Sequence, residues 1–392
     1  MSKLRALLTF GTRPEAIKMA PVVHECRRQA ERIETIVCLT GQHREMLDQV
    51  TDYFGVEADR DLALMTPNQT LAEVTARCLT GLDAVLAEYR PHCVVAQGDT
   101  TTVMAAALAA FYRRVPFVHV EAGLRTGNFA APWPEEMNRR IAGLAAALHC
   151  APTDQAAENL LREGTSADSV HVTGNTVIDA LLWTVARERG HDRPWREKYA
   201  ALGQRRMVLI TGHRRENFGD GMEQICAAIV QLAERFPQVE FLYPVHLNPR
   251  VREPVGRLLS GRTNVHLREP APYPEFVWLM DRATLILTDS GGVQEEAPSL
   301  RKPVLVMRET TERPEAVEAG AVELVGTDVR RIVDRVSLLL CDQAAYSSRQ
   351  IDNNPYGDGR SAARIVELML RQGWQAESTP ESGTPSKLRE AA

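Results

Sequence analysis

Short apolar runs alternate with amphipathic helical stretches along nearly the whole chain, and the alternation occurs in two successive series. In the first half the runs are LRALLTF (4–10), ETIVCLT (34–40), CVVAQ (93–97), PFVHV (116–120), LHCAP (148–152) and SVHVT (169–173). Stretches such as PEAIKMAPVVHECRRQ, LAEVTARCLTGLDAVLAEY and EEMNRRIAGLAAA separate them and read as helices. The second half repeats the scheme with RRMVLIT (205–211), VEFLYPV (239–245), NVHL (264–267), TLILT (284–288), PVLVM (303–307) and AVELV (321–325). Strands separated by crossover helices pair in parallel, so the pattern predicts α/β structure with doubly wound sheets. At 392 residues the chain exceeds what one hydrophobic core organises, which favours two domains. We expect the first over 1–174 and the second over 175–362, with a final helix at 363–374 packing back on the first. The polar end, 375–392, is poor in core-forming residues and is expected to be disordered.

The bulk composition excludes several functions. A formal net charge of -5 provides no basic field for nucleic acid and no polybasic patch for a membrane surface. No stretch approaches the roughly 20 apolar residues that span a bilayer, and MSKLRALLTF lacks the pattern of a signal peptide. The seven cysteines are scattered, odd in number and without a CxxC pair. They read as reduced, buried thiols of a cytoplasmic protein, with no metal site.

Ligands of open α/β sheets sit at the carboxyl ends of the strands, so what each run delivers there matters most. The strongest signal is TDSGGVQEE (288–296), where an apolar run turns through Ser290, Gly291 and Gly292 into a helix. Glycines let a ligand approach the backbone, and a helix start favours negative charge, which suits a phosphate. Glu295 and Glu296 follow, where carboxylates can accept from ribose hydroxyls; a capped turn with two acids is the plain alternative.

The first run delivers GTRPEAIK, with Arg13 and Lys18 at the mouth, and Arg13 at a helix start is a poor match to the dipole unless an anion binds there. TGHRREN brings His213 and Arg214, PVHLNP brings His246, and Arg313 precedes a Pro-opened helix. QGDTTTV, HVEAGLRT and PWPEEMNRR bring Asp99, Glu121 and the pair Glu135 and Glu136. Each acid alone reads as a cap or a solvated charge, and Asp99 suits the cap of the helix opened by the threonines. Together Asp99, Glu121 and Glu135 supply the acid and base that proton abstraction needs. Gln42, His43 and Arg44 follow the second run and read as the exposed start of a helix, slightly ahead of a polar-ligand site; Phe276 and Trp278 at helical spacing read as core, or as a base-stacking aromatic.

The ordered set FGTRPEAIKMAP, QHREMLDQV, GDTTT, HVEAGLRT, PWPEEMNR, TGNTVIDALLW, TGHRREN, YPVHLNP, LTDSGGVQEEAPSLRKPVLVMRETTERPEA and NPYGDG resembles the bacterial non-hydrolysing UDP-N-acetylglucosamine 2-epimerases over about 1–370. That resemblance implies two Rossmann-like domains of the glycosyltransferase-B type, with the nucleotide sugar in the cleft between them. It implies reversible interconversion of UDP-N-acetylglucosamine and UDP-N-acetylmannosamine, by anti-elimination of UDP to 2-acetamidoglucal and re-addition, with no cofactor. Carried over by motif, Arg13, Lys18, His213, Ser290, Gly291, Gly292 and Arg313 hold UDP. Glu296 takes the ribose and Phe276 lies beside the uracil. Asp99, Glu121 and Glu135 form the acid/base set, with His213 supporting the leaving group. Gln42, His43, Arg44, Glu136, Arg214 and His246 match a second, activating UDP-N-acetylglucosamine site. A homodimer supplying mannosamine units for surface polysaccharide is expected on the same ground. The rival readings are a 2-epimerase of another sugar such as a diacetamido-uronic acid, a hydrolysing epimerase, a glycosyltransferase, and a non-catalytic sensor.

Overall fold

A computed structural model describes residues 3–41, 44–66 and 68–374. The expected disordered tail, 375–392, lies outside the described residues. The first sheet takes β1 (Leu4–Phe10), β2 (Ile33–Leu39), β3 (Arg60–Asp61), β4 (Cys93–Gln97), β5 (Phe117–Val120), β6 (Ala146–Ala151) and β7 (Val170–Val172). Its order is β3-β2-β1-β4-β5-β6-β7, parallel throughout. The second takes β8 (Arg206–Thr211), β9 (Val239–Pro244), β10 (Val265–Arg268), β11 (Leu285–Thr288), β12 (Val304–Val306) and β13 (Val322–Leu324). It is ordered β10-β9-β8-β11-β12-β13, again parallel. Both orders reverse direction beside their first strand, so each sheet has the crevice at its carboxyl edge where ligands of doubly wound folds bind.

Parallel strands buried on both faces explain the near-continuous apolar runs. In the first sheet Leu8, Val37 and Val95 face one helical layer, while Leu7, Ile36 and Val94 face the other. The second sheet divides in the same way, with Val208 and Phe241 on one side and Leu209 and Leu242 on the other. The added strand β3 has two residues, both polar and exposed at the sheet edge, so no apolar run announced it.

The chain leaves the first sheet after β7 and enters the helix Thr176–Gly190, whose Val177, Ile178 and Leu181 join the core of the second sheet. It returns through 354–360 to the final helix Ser361–Arg371, whose Ile365, Val366 and Met369 pack into the core of the first sheet. That helix starts slightly before 363 because Asp179 accepts the backbone N–H of Ser361 and of Ala362, at 3.2 and 2.9 Å. Cys26, Cys38, Cys78, Cys93, Cys150 and Cys226 are buried thiols, as expected, but Cys341 at the end of the helix Val329–Cys341 is exposed. Among the described residues no helix is long and apolar enough to cross a membrane.

Candidate active site

A cavity of about 590 Å³ is lined from both sheets: Lys18, Asp99 and Glu121 come from the first, and Arg214 and Arg313 from the second. A smaller one, about 240 Å³, gathers Arg13, His213, His246, Tyr273, Phe276 and Ser290. The sequence expectation placed these residues at the ends of separate strands, and the fold brings them into two neighbouring cavities.

The first loop is built by a capping box. Thr12 caps the helix Arg13–Arg28, and the Glu15 carboxylate accepts the N–H groups of Gly11 and Thr12, each at 2.8 Å. Gly11 is required there, since a Cβ would lie 1.9 Å from the Thr40 hydroxyl oxygen. The loop therefore presents Arg13 exposed at the helix start and Lys18 one turn further in. Glu15 itself is buried, which raises its carboxyl above the ordinary range.

The Lys18 ammonium donates to Glu121 Oε1 at 2.6 Å. Glu121 follows β5 at φ 63, a left-handed conformation that costs a non-glycine residue energy and that tight surroundings must hold. Gln97 donates to its other oxygen. Burial alone would raise the Glu121 carboxyl, but Lys18, with Arg313 and the Asn175 amide, holds it below the ordinary glutamate value. Asp99 behaves in the opposite way. Burial pushes its carboxyl up, against the pull of the Arg139 guanidinium that donates to it. The expected helix cap at Asp99 is instead made by Thr100, whose hydroxyl accepts the Val103 N–H. Asp99 is thereby free of capping and faces the cavity. Two carboxyls on one wall are thus displaced in opposite directions, the arrangement that separates an acid from a base.

Glu135 opens the helix Glu135–Ala145, half-buried and outside the lining of the larger cavity. Glu136, beside it, is fully buried and holds the loop: it accepts the Thr126 N–H at 3.1 Å and pairs with Arg139 and Arg140 at 3.4 and 3.3 Å.

On the second sheet, Asp289 organises the loop after β8. One carboxylate oxygen accepts the backbone N–H groups of His213 and Arg214, both at 2.8 Å, and the Asn217 amide at 3.2 Å. Its other oxygen lies 3.4 Å from His213 Nδ1. His213 stacks on His246, ring centroids 5.4 Å apart, and burial lowers its pKa despite the nearby Asp289. A neutral imidazole is the form that can both accept and donate.

Ser290, Gly291 and Gly292 open the helix Gly291–Glu296, and Ser290 makes no capping hydrogen bond. The Arg214 and Arg313 guanidiniums both lie against Gly291, 3.4 Å from where its Cβ would be, so a side chain there would crowd the cations. A glycine helix start with two guanidiniums against it suits a polyanion. The two acids that follow have different surroundings. Glu295 is engaged, taking Arg313 Nε at 2.7 Å and the Asn175 amide at 3.1 Å, so of the two acids it is the one already partnered within the protein. No described residue donates a hydrogen bond to the buried Glu296 carboxyl. Burial, with Glu295 adjoining and Lys18 opposing, raises its pKa to about 8. A buried carboxyl with no described donor is matched to hydroxyls, which can both donate and accept. Phe276, half-buried, lines the smaller cavity, while Trp278 stacks on Tyr199 at 5.7 Å and belongs to the core.

Of the residues expected at a second site, Gln42 and His43 lie outside the described residues, and Arg44 opens the helix Arg44–Phe54. His246 lines the smaller cavity and Arg214 the larger. Sequence reading missed Asp289, Arg139, Gln97 and Asn175. Asp289 stood inside the glycine-turn motif, and its place at the end of β11 was the available signal. The other three announce themselves only through contacts distant in sequence.

A family model described as UDP-N-acetylglucosamine 2-epimerase matches residues 24–370. The UDP-N-acetylglucosamine 2-epimerase of Salmonella typhimurium is 54% identical over 370 residues, 93% of this chain and 98% of that one. The Escherichia coli enzyme of the same name is 53% identical with the same coverage. The crystal structure of the Neisseria meningitidis UDP-GlcNAc 2-epimerase bound to UDP-GlcNAc superposes with a TM-score of 0.86 at 48% identity, covering 94% of this chain and 100% of that one. The Methanocaldococcus jannaschii UDP-GlcNAc 2-epimerase, solved with UDP-GlcNAc and UDP, gives 0.75 at 32% identity, covering 94% and 100%. The chain belongs to the UDP-N-acetylglucosamine 2-epimerase family.

Proposed function

We propose that this protein interconverts UDP-N-acetylglucosamine and UDP-N-acetylmannosamine by inverting C2 of the sugar. A carboxylate takes the C2 proton, the C1–O bond breaks with its electron pair leaving on UDP, and a C1=C2 double bond forms. Re-addition of UDP at C1 and of a proton to the other face of C2 gives the epimer. Asp99, Glu121 and Glu135 form the acid/base set, with His213 supporting the leaving group. Arg13, Lys18, His213, Ser290, Gly291, Gly292 and Arg313 bind UDP, Glu296 the ribose and Phe276 the uracil. The observation that carries this reading is the pair Asp99 and Glu121, displaced in opposite directions on a wall facing Arg214 and Arg313. Clamped guanidiniums stabilise the charge that develops on a departing diphosphate.

The first domain of this enzyme is 1–174 and the second begins at 175, with the helix Ser361–Arg371 returning to the first. Gln42, His43, Arg44, Glu136, Arg214 and His246 serve a second, activating UDP-N-acetylglucosamine site. The enzyme acts as a cytoplasmic homodimer that supplies mannosamine units for surface polysaccharide. Proton NMR of UDP-N-acetylglucosamine with the protein in D2O tests the central claim. A UDP-N-acetylmannosamine anomeric signal, with deuterium entering C2, is the expected result. Accumulation of free UDP and free sugar points to hydrolysing chemistry. An unchanged spectrum with UDP still bound points to another sugar or to a transferase.

A further inference from the structure

The chain crosses from the first sheet to the second at Asn175, which caps the helix Thr176–Gly190. Its side-chain oxygen accepts the Val177 N–H at 3.0 Å. A backbone N–H only donates, so this contact fixes which end of the amide is oxygen. The amide nitrogen faces two carboxylates and donates to both: Glu121 Oε1 at 3.0 Å and Glu295 Oε2 at 3.1 Å. Both amide hydrogens are thereby used, one on the loop after β5 and one on the helix Gly291–Glu296. The Asn175 backbone N–H is held by the Tyr356 carbonyl at 2.7 Å, on the chain's return crossing. With 3% of the residue exposed, water is no substitute for these partners.

A helix cap alone does not call for asparagine. Serine, threonine or aspartate accepts the same N–H. Only the amide combines that acceptor with two donors for acids, and aspartate would set a third carboxylate between the other two. We propose that Asn175 is a positioning residue, fixing Glu121 at the acid/base wall and linking it through Glu295 to Arg313 of the diphosphate clamp. The inference rests on the epimerase reading. The contacts run unbroken from Lys18 through Glu121, Asn175 and Glu295 to Arg313. The groups facing Glu121 are Lys18 from the helix Arg13–Arg28, Gln97 at the end of β4, Asp99 after it, and Arg313 across the cleft. Asn175 is the neutral contact that reaches the second sheet.

The test compares the full-length protein with Asn175→Ser, which keeps the cap and leaves at most one short donor where the amide had two, and Asn175→Asp. Losing a hydrogen bond to a charged group predicts a drop in kcat of about 10- to 100-fold for Asn175→Ser, with the Kd for UDP within about threefold of wild type. The acidic limb of the kcat–pH profile moves upward as Glu121 loses a donor, and further for Asn175→Asp, which adds a like charge. Unchanged kcat and pH profile for Asn175→Ser would overturn the proposal, as would equal losses in kcat and UDP affinity. Absent turnover by the wild-type protein defeats the epimerase reading separately. A readout without turnover still decides whether Asn175 acts on Glu121. Thermal midpoints of Asn175→Ser, Glu121→Gln and the double variant are expected to be non-additive, and additive shifts overturn the link.

Discussion

Replacing Glu296 with glutamine is expected to stabilise the protein while weakening its hold on UDP. Glu296 is buried, lacks a described hydrogen-bond donor and adjoins Glu295, and its pKa stands at about 8 against an ordinary 4.5. A carboxyl raised in the folded state contributes stability that is complete below about pH 4.5 and is lost as pH rises to about 8. The sign follows from proton counting, because between those values the folded state binds more protons than the unfolded one. With each pKa unit worth about 1.36 kcal/mol, the loss is about 1 kcal/mol at pH 5, about 3 at pH 7 and about 5 above pH 8. Glutamine has nearly the same shape and no proton to lose, so Glu296→Gln escapes the penalty at every pH.

The assay is denaturant or thermal unfolding of both proteins from pH 5 to pH 9. At roughly 2–4 °C per kcal/mol, the variant melts about 6–12 °C higher at pH 7, with the gap nearly closed at pH 5. Calorimetric titration with UDP shows the cost. On the proposed reading, replacing the carboxyl that meets the ribose hydroxyls raises Kd about 3- to 10-fold, the loss of one neutral hydrogen bond. Stability curves that stay parallel across this pH range would refute the reasoning, because Glu296 would then ionise alike in both states. A site group that destabilises its own fold is expected where function, and not packing, selects the residue.

Asp99→Asn keeps the shape beside Arg139 and removes the titrating proton, so turnover should fall about 10²–10⁴-fold while calorimetric UDP affinity barely changes. Lys18→Met leaves Glu121 buried without its cation, a loss of about 3–5 kcal/mol by urea unfolding. Wild-type Glu121 is held below 4.5, so its contribution is present above that pH and lost as pH falls through the folded value; the variant lacks this acid-side slope. Ile365→Ala opens a void where the final helix meets the first sheet, and should cost about 2–5 kcal/mol in the same assay without altering the Kd for UDP.

The fold was legible because its signals are local. Every run of the second half became a strand of the second sheet, since a strand buried on both faces writes its apolar content into consecutive residues. Only β3, two exposed residues on an edge, had no such content to show. The candidate site was legible to the extent that it follows strand ends. Arg13, Lys18, Asp99, Glu121, His213 and Arg313 could all be named because a doubly wound sheet turns each βα connection toward one mouth.

What sequence reading missed is what depends on pairing across long separations. Asp99 looked like a cap because a cap is a local role, and nothing nearby revealed that Arg139 would reach it while Thr100 took the helix. Glu295 and Glu296 looked equivalent, yet one is committed to Arg313 and the other has no donor among the described residues, and Arg313 lies beyond a further strand. Asn175 caps a helix, but its contacts to the acids lie far away in sequence. The amide group left over by the cap is what joins Glu121 to Glu295, and no reading of TGNTVID by itself could count those two hydrogens. Local pattern therefore predicts which elements meet at the cleft, whereas the protonation state of each acid is set by partners that only the folded chain supplies.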